Sequence, residues 1–155
     1  MEKYTSPTLE VTMDLPPNWH GIENKEFFVN QLKIPQEQAE STALILVKIE
    51  NDIVDKYISV THDMEIYQTA EAYTEGIEGN KTALIGAGCK IEAHQTMKSK
   101  HGFRVDHMMV QAGEVLMSQY YVHINELLLC FATQVTKKGD NDDNVMANVV
   151  FSLSM

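Results

Sequence analysis

The chain has 155 residues, 44% apolar and 22% charged, with a formal net charge of −10. That is the size and balance of one globular domain, which buries roughly two-thirds of its unfolded surface without a metal or disulfide staple. The charge is uneven. Residues 1–77 carry 14 acids and 5 bases and residues 78–155 carry 8 and 7, and Arg104 is the one arginine among twelve basic residues. Nucleic acid requires clustered positive charge to displace counterions, so that partner class is excluded, and an acidic membrane surface repels such a chain.

No stretch approaches the ~20 apolar residues of a membrane span. Met1–Pro7 lacks a charged-then-apolar export signal. The expectation is a cytoplasmic protein with no membrane insertion. An exported lipoprotein whose signal has been removed reads the same way. Cys89 and Cys130 lie in apolar runs and in no metal-like spacing, which suits buried free thiols.

In chain order, Leu9–Asp14 alternates as a short strand and Leu15-Pro16-Pro17-Asn18-Trp19 ends it, because proline cannot continue a ladder. Trp19 then reads as a plug at the sheet edge. Glu26–Leu32 is a second candidate strand, and Lys33–Ser41, with Pro35, is a loop. Thr42–Glu50 is a strong strand whose near-continuous apolar run suits cover on both faces. The acidic stretch Asn51–Thr61 reads as a connection. A helix follows, capped by Asp63, with Ile66, Ala70, Tyr73, Ile77 and Leu84 near helical spacing; Gly76 and Gly79 weaken it, and Gly86 and Gly88 end it.

Four strands come next: Cys89–Met97, Phe103–Ala112, Val115–Ile124 and Leu127–Val135. The last three are separated by Gly113-Glu114 and Asn125-Glu126, the commonest hairpin spacing. Lys137–Asp143 is a charged turn, and Asn144–Leu153 is a closing helix. Asp140-Asn141-Asp142-Asp143 resembles the start of a calcium loop but lacks the acidic spacing and the twelfth-position Glu. A meander after one crossover helix makes the fold class α+β: an antiparallel sheet of about six to seven strands with helices packed on it, in one domain spanning 1–155.

Two-residue turns pair Ala112 with Val115, Asp106 with Tyr121, and Tyr120 with Phe131, so side-chain alternation separates two faces. The first face, with Phe103, Val105, Tyr120, Val122, Ile124, Leu129 and Phe131, is core, and the crossover helix is expected to lie on it. The second holds Arg104, Asp106, Met108, Val110, Met117, Gln119, Tyr121 and His123. Its mixed apolar, aromatic and polar character, with flexible methionines, suits a surface that accepts another protein. The other readings are cover by the C-terminal helix or the N-terminal strands, and a homodimer interface. The partner-binding candidates are therefore Met108, Val110, Met117, Gln119, Tyr121, Arg104 and His123.

Pairing Met97 with Phe103 leaves a five-residue loop, Lys98–Gly102, and places His94 beside Asp106. His94 with Asp106 is the pattern of a general base, and Glu92, His94 and His123 are zinc-type ligands. The plainer reading is a row of cross-strand polar pairs. No GxSxG, P-loop, HExxH or dinucleotide fingerprint occurs. The expectation is no enzyme, no catalytic residue, no cofactor and no metal. The alternative is a small enzyme or metal-binding protein centred on His94, Asp106, Tyr121 and His123.

Leu15-Pro16-Pro17-Asn18-Trp19, close to a Pro-x-x-Trp near the start, resembles PsbP-like domains, and so does the order of elements that follows. The helix from Asp63, the strands from Cys89 to Val135 and the end Val149-Val150-Phe151-Ser152-Leu153 keep that order. The superfamily includes the Ran-binding Mog proteins, bacterial DcrB-type proteins and effector-associated chaperones of type VI secretion. The chain looks nearest the last two. The resemblance implies an α/β/α sandwich and a non-catalytic adaptor or chaperone role. The implied partner is another protein, such as a secreted effector, whose apolar segment lies against the sheet; a homodimer is a further option. Glu23–Ser41 departs from the pattern.

Overall fold

The structure, a computed structural model, describes residues 2–63, 65–135 and 142–155. The chain opens with β1 (Glu2–Ser6), β2 (Val11–Leu15) and β3 (Trp19–Ile22), then two short helices, α1 (Lys25–Asn30) and α2 (Gln36–Ser41). β4 (Thr42–Glu50) and β5 (Ile53–His62) precede the crossover helix α3 (Ala70–Gly86). The meander β6 (Lys90–Lys98), β7 (Arg104–Ala112), β8 (Val115–Ile124) and β9 (Leu127–Val135) follows, and α4 (Asp142–Phe151) closes the chain. Seven strands form one antiparallel sheet in the order β3-β4-β5-β9-β8-β7-β6, while β1 and β2 form a separate hairpin. The α+β class and the antiparallel sheet expected from the sequence are both present. The charged turn at 137–143 and the calcium-like run that begins at Asp140 fall largely outside the described residues.

Four local readings are corrected. Glu26–Leu32 is not a strand. The Asn24 side chain accepts from the Glu26 amide at 2.9 Å and the Phe27 amide at 3.4 Å, which caps α1 and lets Phe28 be buried. The expected loop 33–41 contains α2, anchored by buried Ala39. The expected connection 51–61 is mostly strand β5. Asn51 and Asp52 both take positive φ, 53° and 62°, the geometry of a tight hairpin turn that short polar side chains tolerate. Beyond that turn the β-branched and aromatic residues Ile53, Val54, Tyr57, Ile58 and Val60 outweigh the acids. The helix also starts later than Asp63, at Ala70, where the Thr69 hydroxyl accepts from the Ala72 amide at 3.0 Å.

The largest correction concerns which helix covers which face. The first sheet face carries Leu44, Leu46, Ile58, Val60, Val105, Val122, Leu129 and Phe131. It is covered by Met146, Val149 and Val150 of α4 and by Leu9, Val11, Met13 and Leu15 of the N-terminal hairpin. Trp19 is buried there, as a plug. The crossover helix lies on the opposite face, where Tyr73 and Ile77 meet Met108, Val110, Tyr121 and Leu128. The physical reason is a match of apolar surface. α3 buries only Tyr73 and Ile77, enough for the mixed face, whereas the richer face takes two covers. β4 is covered on both sides as expected, with Ile45 and Val47 packed against Phe28, Ile34 and Ala39 below α1 and α2.

Two glycines of α3 give a direct test of this packing. A Cβ on Gly76 meets the Tyr67 ring at 2.7 Å and Leu128 at 3.0 Å, whereas one on Gly79 meets nothing within 4 Å. Alanine gains about 0.8–1 kcal/mol over glycine inside a helix, and overpacking costs about 1–3 kcal/mol. Gly79→Ala therefore raises the unfolding free energy by about 1 kcal/mol, while Gly76→Ala lowers it by a similar amount. Denaturant midpoints moving in opposite directions are the expected result; two stabilising changes would mean that Tyr67 does not pack on Gly76.

Candidate functional site

The hairpin turns set the meander's register as the sequence predicts: Ala112 pairs with Val115, Asp106 with Tyr121, Ile124 with Leu127 and Tyr120 with Phe131. The β6–β7 register differs by two residues, with Met97 opposite Val105 and Lys98 opposite Arg104. Ser99 causes the shift. Its amide donates to the Phe103 carbonyl at 2.8 Å and its hydroxyl accepts from the Phe103 amide at 3.0 Å, closing a five-residue loop of 99–103. A two-residue slip keeps His94, Thr96 and Met97 on their faces, while a bulge between Ile91 and Ala93 sets Ile91 on the second face, against the cluster of Met108 and Val110. Thr96 now sits opposite Asp106, and His94 reaches it as the diagonal neighbour.

Asp106 is fully buried and is the hub of the polar cluster. It accepts from His94 Nε2 at 2.8 Å, Thr96 Oγ1 at 2.7 Å and Arg104 Nε at 3.1 Å. Burial alone raises the pKa of a carboxyl. Here the hydrogen bonds from Thr96, His94 and Arg104, with the Arg104 charge, overcome that and hold Asp106 below its ordinary 3.8. α3 is tied in twice: Arg104 Nη1 donates to Thr74 Oγ1 at 2.5 Å, and Lys81 Nζ lies 3.2 Å from His94 Nδ1. Arg104 also sits 5.0 Å from the Tyr73 ring centroid, and Tyr73 stacks on His123 at 4.9 Å. Among the described residues, the Tyr73 hydroxyl has no partner in hydrogen-bond geometry. Burial, then the nearby Asp106 charge, raises its pKa strongly.

This arrangement bears on both chemical readings of the cluster. A lysine ammonium only donates, so His94 Nδ1 is the acceptor and Nε2 carries the proton toward Asp106. Both ring nitrogens are engaged inside the protein, and neither is aimed at an open site. The zinc-type set is not assembled. Glu92 pairs with Lys90 at 3.7 Å, and His123 Nε2 lies 2.6 Å from the Tyr67 carbonyl. Among the described residues, no three His, Cys, Asp or Glu side chains converge.

The partner-binding candidates divide. Met108 is 0% exposed, Val110 1%, Tyr121 5% and Gln119 8%. α3 covers Met108 and Val110, which are therefore core rather than free surface. Arg104 and His123 are part-exposed but committed to the network above. Met117 is part-exposed. Gln119 and Tyr121 form the floor of an open groove of about 380 Å³ with Leu128 and Cys130. Asn80, Ala83 and Leu84 of α3 make one wall, and Ser41, Thr61 and Asp63 make the other. In the sequence Leu84 and Asp63 read only as helix positions and the other wall residues went unnoticed, because nothing in helical spacing shows where two helices fail to meet. The floor is a neutral, hydrogen-bonded surface. The Tyr121 hydroxyl donates to Gln119 Oε1 at 2.6 Å, and burial pushes the Cys130 thiol up to about 12 despite its hydrogen bonding with Tyr121 and Thr61.

No family model matches the chain, and no curated protein matches it in sequence. Among solved structures, the solution structure of cyanobacterial PsbP (CyanoP) from Synechocystis aligns with a TM-score of 0.61 at 14% identity, over 99% of this chain and 91% of that one. A crystal structure from Bacteroides thetaiotaomicron aligns over 98% of this chain but 47% of its own, at 10% identity and a TM-score of 0.48. The chain thus has a PsbP-like fold. No helix among the described residues is long and apolar enough to cross a membrane.

Two measurements follow from the cluster and the floor. Asp106→Asn lowers stability at pH 7 by about 3 kcal/mol, the lower end for breaking a buried ion pair, because Arg104 and His94 keep some solvent. With its folded pKa below the unfolded value, Asp106 contributes fully above pH ~4 and loses that contribution as pH falls. Acid denaturation curves should therefore converge for wild type and variant below that pH, and a constant gap would refute the assignment. For Cys130, a thiol at about 12 holds roughly a thousandfold less thiolate at pH 8 than an ordinary cysteine. Iodoacetamide should label it about that much more slowly than free cysteine, as followed by peptide mass.

Proposed function

We propose that the chain is a non-catalytic protein-binding module, of adaptor or chaperone type, that takes an apolar segment of a partner protein into the groove between α2 and α3. The observation that carries this reading is the gap in the cover of the second face. α1 and α2 seal one end, α3 seals the other, and Tyr121, Leu128 and Cys130 lie at the bottom between them. An apolar cleft edged by a few polar groups is the usual form of a recognition site. Asn80 and Thr61 supply those edges, and Gln119 adds a polar group to the floor. The PsbP-like fold supports a binding role, and so does a His–Asp pair with no nitrogen left for a substrate.

Ala83 is exposed on the groove wall, so Ala83→Arg fills the groove without touching the core. Gln95, exposed on β6, is a control outside the groove. A partner captured from the native host by wild type should lose at least tenfold in affinity with Ala83→Arg and be unchanged with Gln95→Arg, with circular dichroism confirming both folds. Amide exchange should slow in β5, β9 and α3 when the partner binds. Retention of the partner by Ala83→Arg with no protection in those strands would move the binding surface elsewhere.

A further inference from the structure

We infer that the partner segment carries a lysine or arginine three or four residues from the apolar residue that fills the groove, and that this cation occupies a second cleft on the same flank of α3. The inference rests on the groove reading above and adds the chemistry of what lies beside it. The second cleft has a volume of about 260 Å³ and is lined by Glu65, Ile66, Tyr67, Ala72, Glu75 and Gly76. Its floor is apolar: the Tyr67 ring packs closely on Gly76, and Ala72 adds only a methyl group beside it. Ile66 is 66% exposed at its edge, an unusual place for a large aliphatic residue with nothing on it. Glu65 and Glu75 flank that floor, and neither has an ion-pair partner among the described residues.

That combination fits a long cationic side chain. Its methylene stem lies along Ile66 and Tyr67 while its charged head meets the two carboxylates. The surrounding field favours it. Residues 57–80 contain no lysine or arginine, while Asp63, Glu65, Glu71, Glu75 and Glu78 all fall within them. Of these five, Glu78 has a lysine nearby, Lys81 at 3.8 Å.

The spacing comes from the helix. The groove uses Asn80, Ala83 and Leu84 and the second cleft uses Ala72, Glu75 and Gly76, positions that repeat along one flank of α3. Their centres are about eight residues apart, or about 12 Å at 1.5 Å per residue. An extended chain covers that distance in three to four residues at roughly 3.3 Å each. Tyr67 and Asp63 form the low rim that the two clefts share: the Tyr67 amide donates to the Glu126 carbonyl at 2.7 Å, and the Tyr67 hydroxyl donates to Asp63. The bound chain crosses the rim at Tyr67 and Asp63.

A random peptide library displayed on phage and panned on the full-length protein tests the idea. On wild type, the expected enrichment is an apolar residue with Lys or Arg three or four positions away. On Glu65→Lys/Glu75→Lys, both exposed sites, that position should switch to Asp or Glu. A synthetic peptide selected on wild type should bind the variant about tenfold more weakly at low salt and recover part of the difference in high salt. A switch of preference is a gain that a misfolded variant cannot produce. Apolar motifs lost with Ala83→Arg but lacking a basic residue would overturn the second cleft and leave the groove standing. A basic preference that survives the charge reversal would also overturn it, reducing the effect to general attraction by an acidic chain. Absence of any motif sensitive to Ala83→Arg would remove the groove reading itself.

Discussion

The molecule depends on the register of its meander. In a strand, neighbouring side chains point to opposite faces, so a slip of one residue exchanges core and surface along the whole element. Two turns prevent that slip. Gly113 takes φ 62°, open to glycine at no cost, and Asn125 and Glu126 take 54° and 60°, the tight geometry that matches strand twist. With those turns in place, Val105, Val122 and Leu129 stand on one face and Met108, Asp106 and Tyr121 on the other. Everything placed on the sheet then answers to an inequality between two faces.

The richer face is closed by α4 and the β1–β2 hairpin, and the attachment is directional as well as apolar. Thr12 and Ser154 exchange backbone hydrogen bonds at 2.8 and 2.9 Å, joining the hairpin to the C-terminus. The Glu23 carboxylate, at the end of β3, accepts from the Ser6 hydroxyl at 2.8 Å and the Thr8 amide at 3.1 Å, holding the hairpin's turn. The poorer face is left to three helices that touch it in two separate clusters. Its central strip, over β5, β9 and β8, therefore stays open in the groove.

The parts legible in the sequence were those written in two-residue periodicity and in turn chemistry. The meander from β7 to β9 was readable to the residue, and β4 announced its double cover through an unbroken apolar run. The misread parts share one cause: local signals were ambiguous, and tertiary packing decided them. Phe27 and Phe28 favour strands by propensity, yet Asn24 capped a helix there. The acids Asp52 and Asp55 made 51–61 look like a connection, although the apolar and aromatic residues of β5 favour a strand. The polar cluster survived a two-residue register error because such a slip preserves the face and His94 is long enough to reach diagonally. The choice of face for α3 was not local at all. It followed from how much apolar area each cover brings, and with it went the distinction between candidates that are core, such as Met108 and Val110, and those that line open space.

A helix with two buried apolar anchors, Tyr73 and Ile77, is poorly specified in position. Apolar contact is non-directional, and such a helix can slide or roll on a mixed sheet face with little change in buried area. The Asp106 cluster removes that freedom. It holds α3 at Thr74 through Arg104 and at Lys81 through His94, seven residues or about two helical turns apart. Two directional contacts at that separation fix both translation and rotation. A buried ion network is a weak source of net stability, because desolvation offsets much of the attraction. Its effect here is one of placement: with Thr74 and Lys81 tied to β6 and β7, the opposite flank of the helix, Ala72, Gly76, Asn80 and Ala83, is held away from β5. The groove exists because a buried carboxylate on β7 keeps the helix to one side of the sheet.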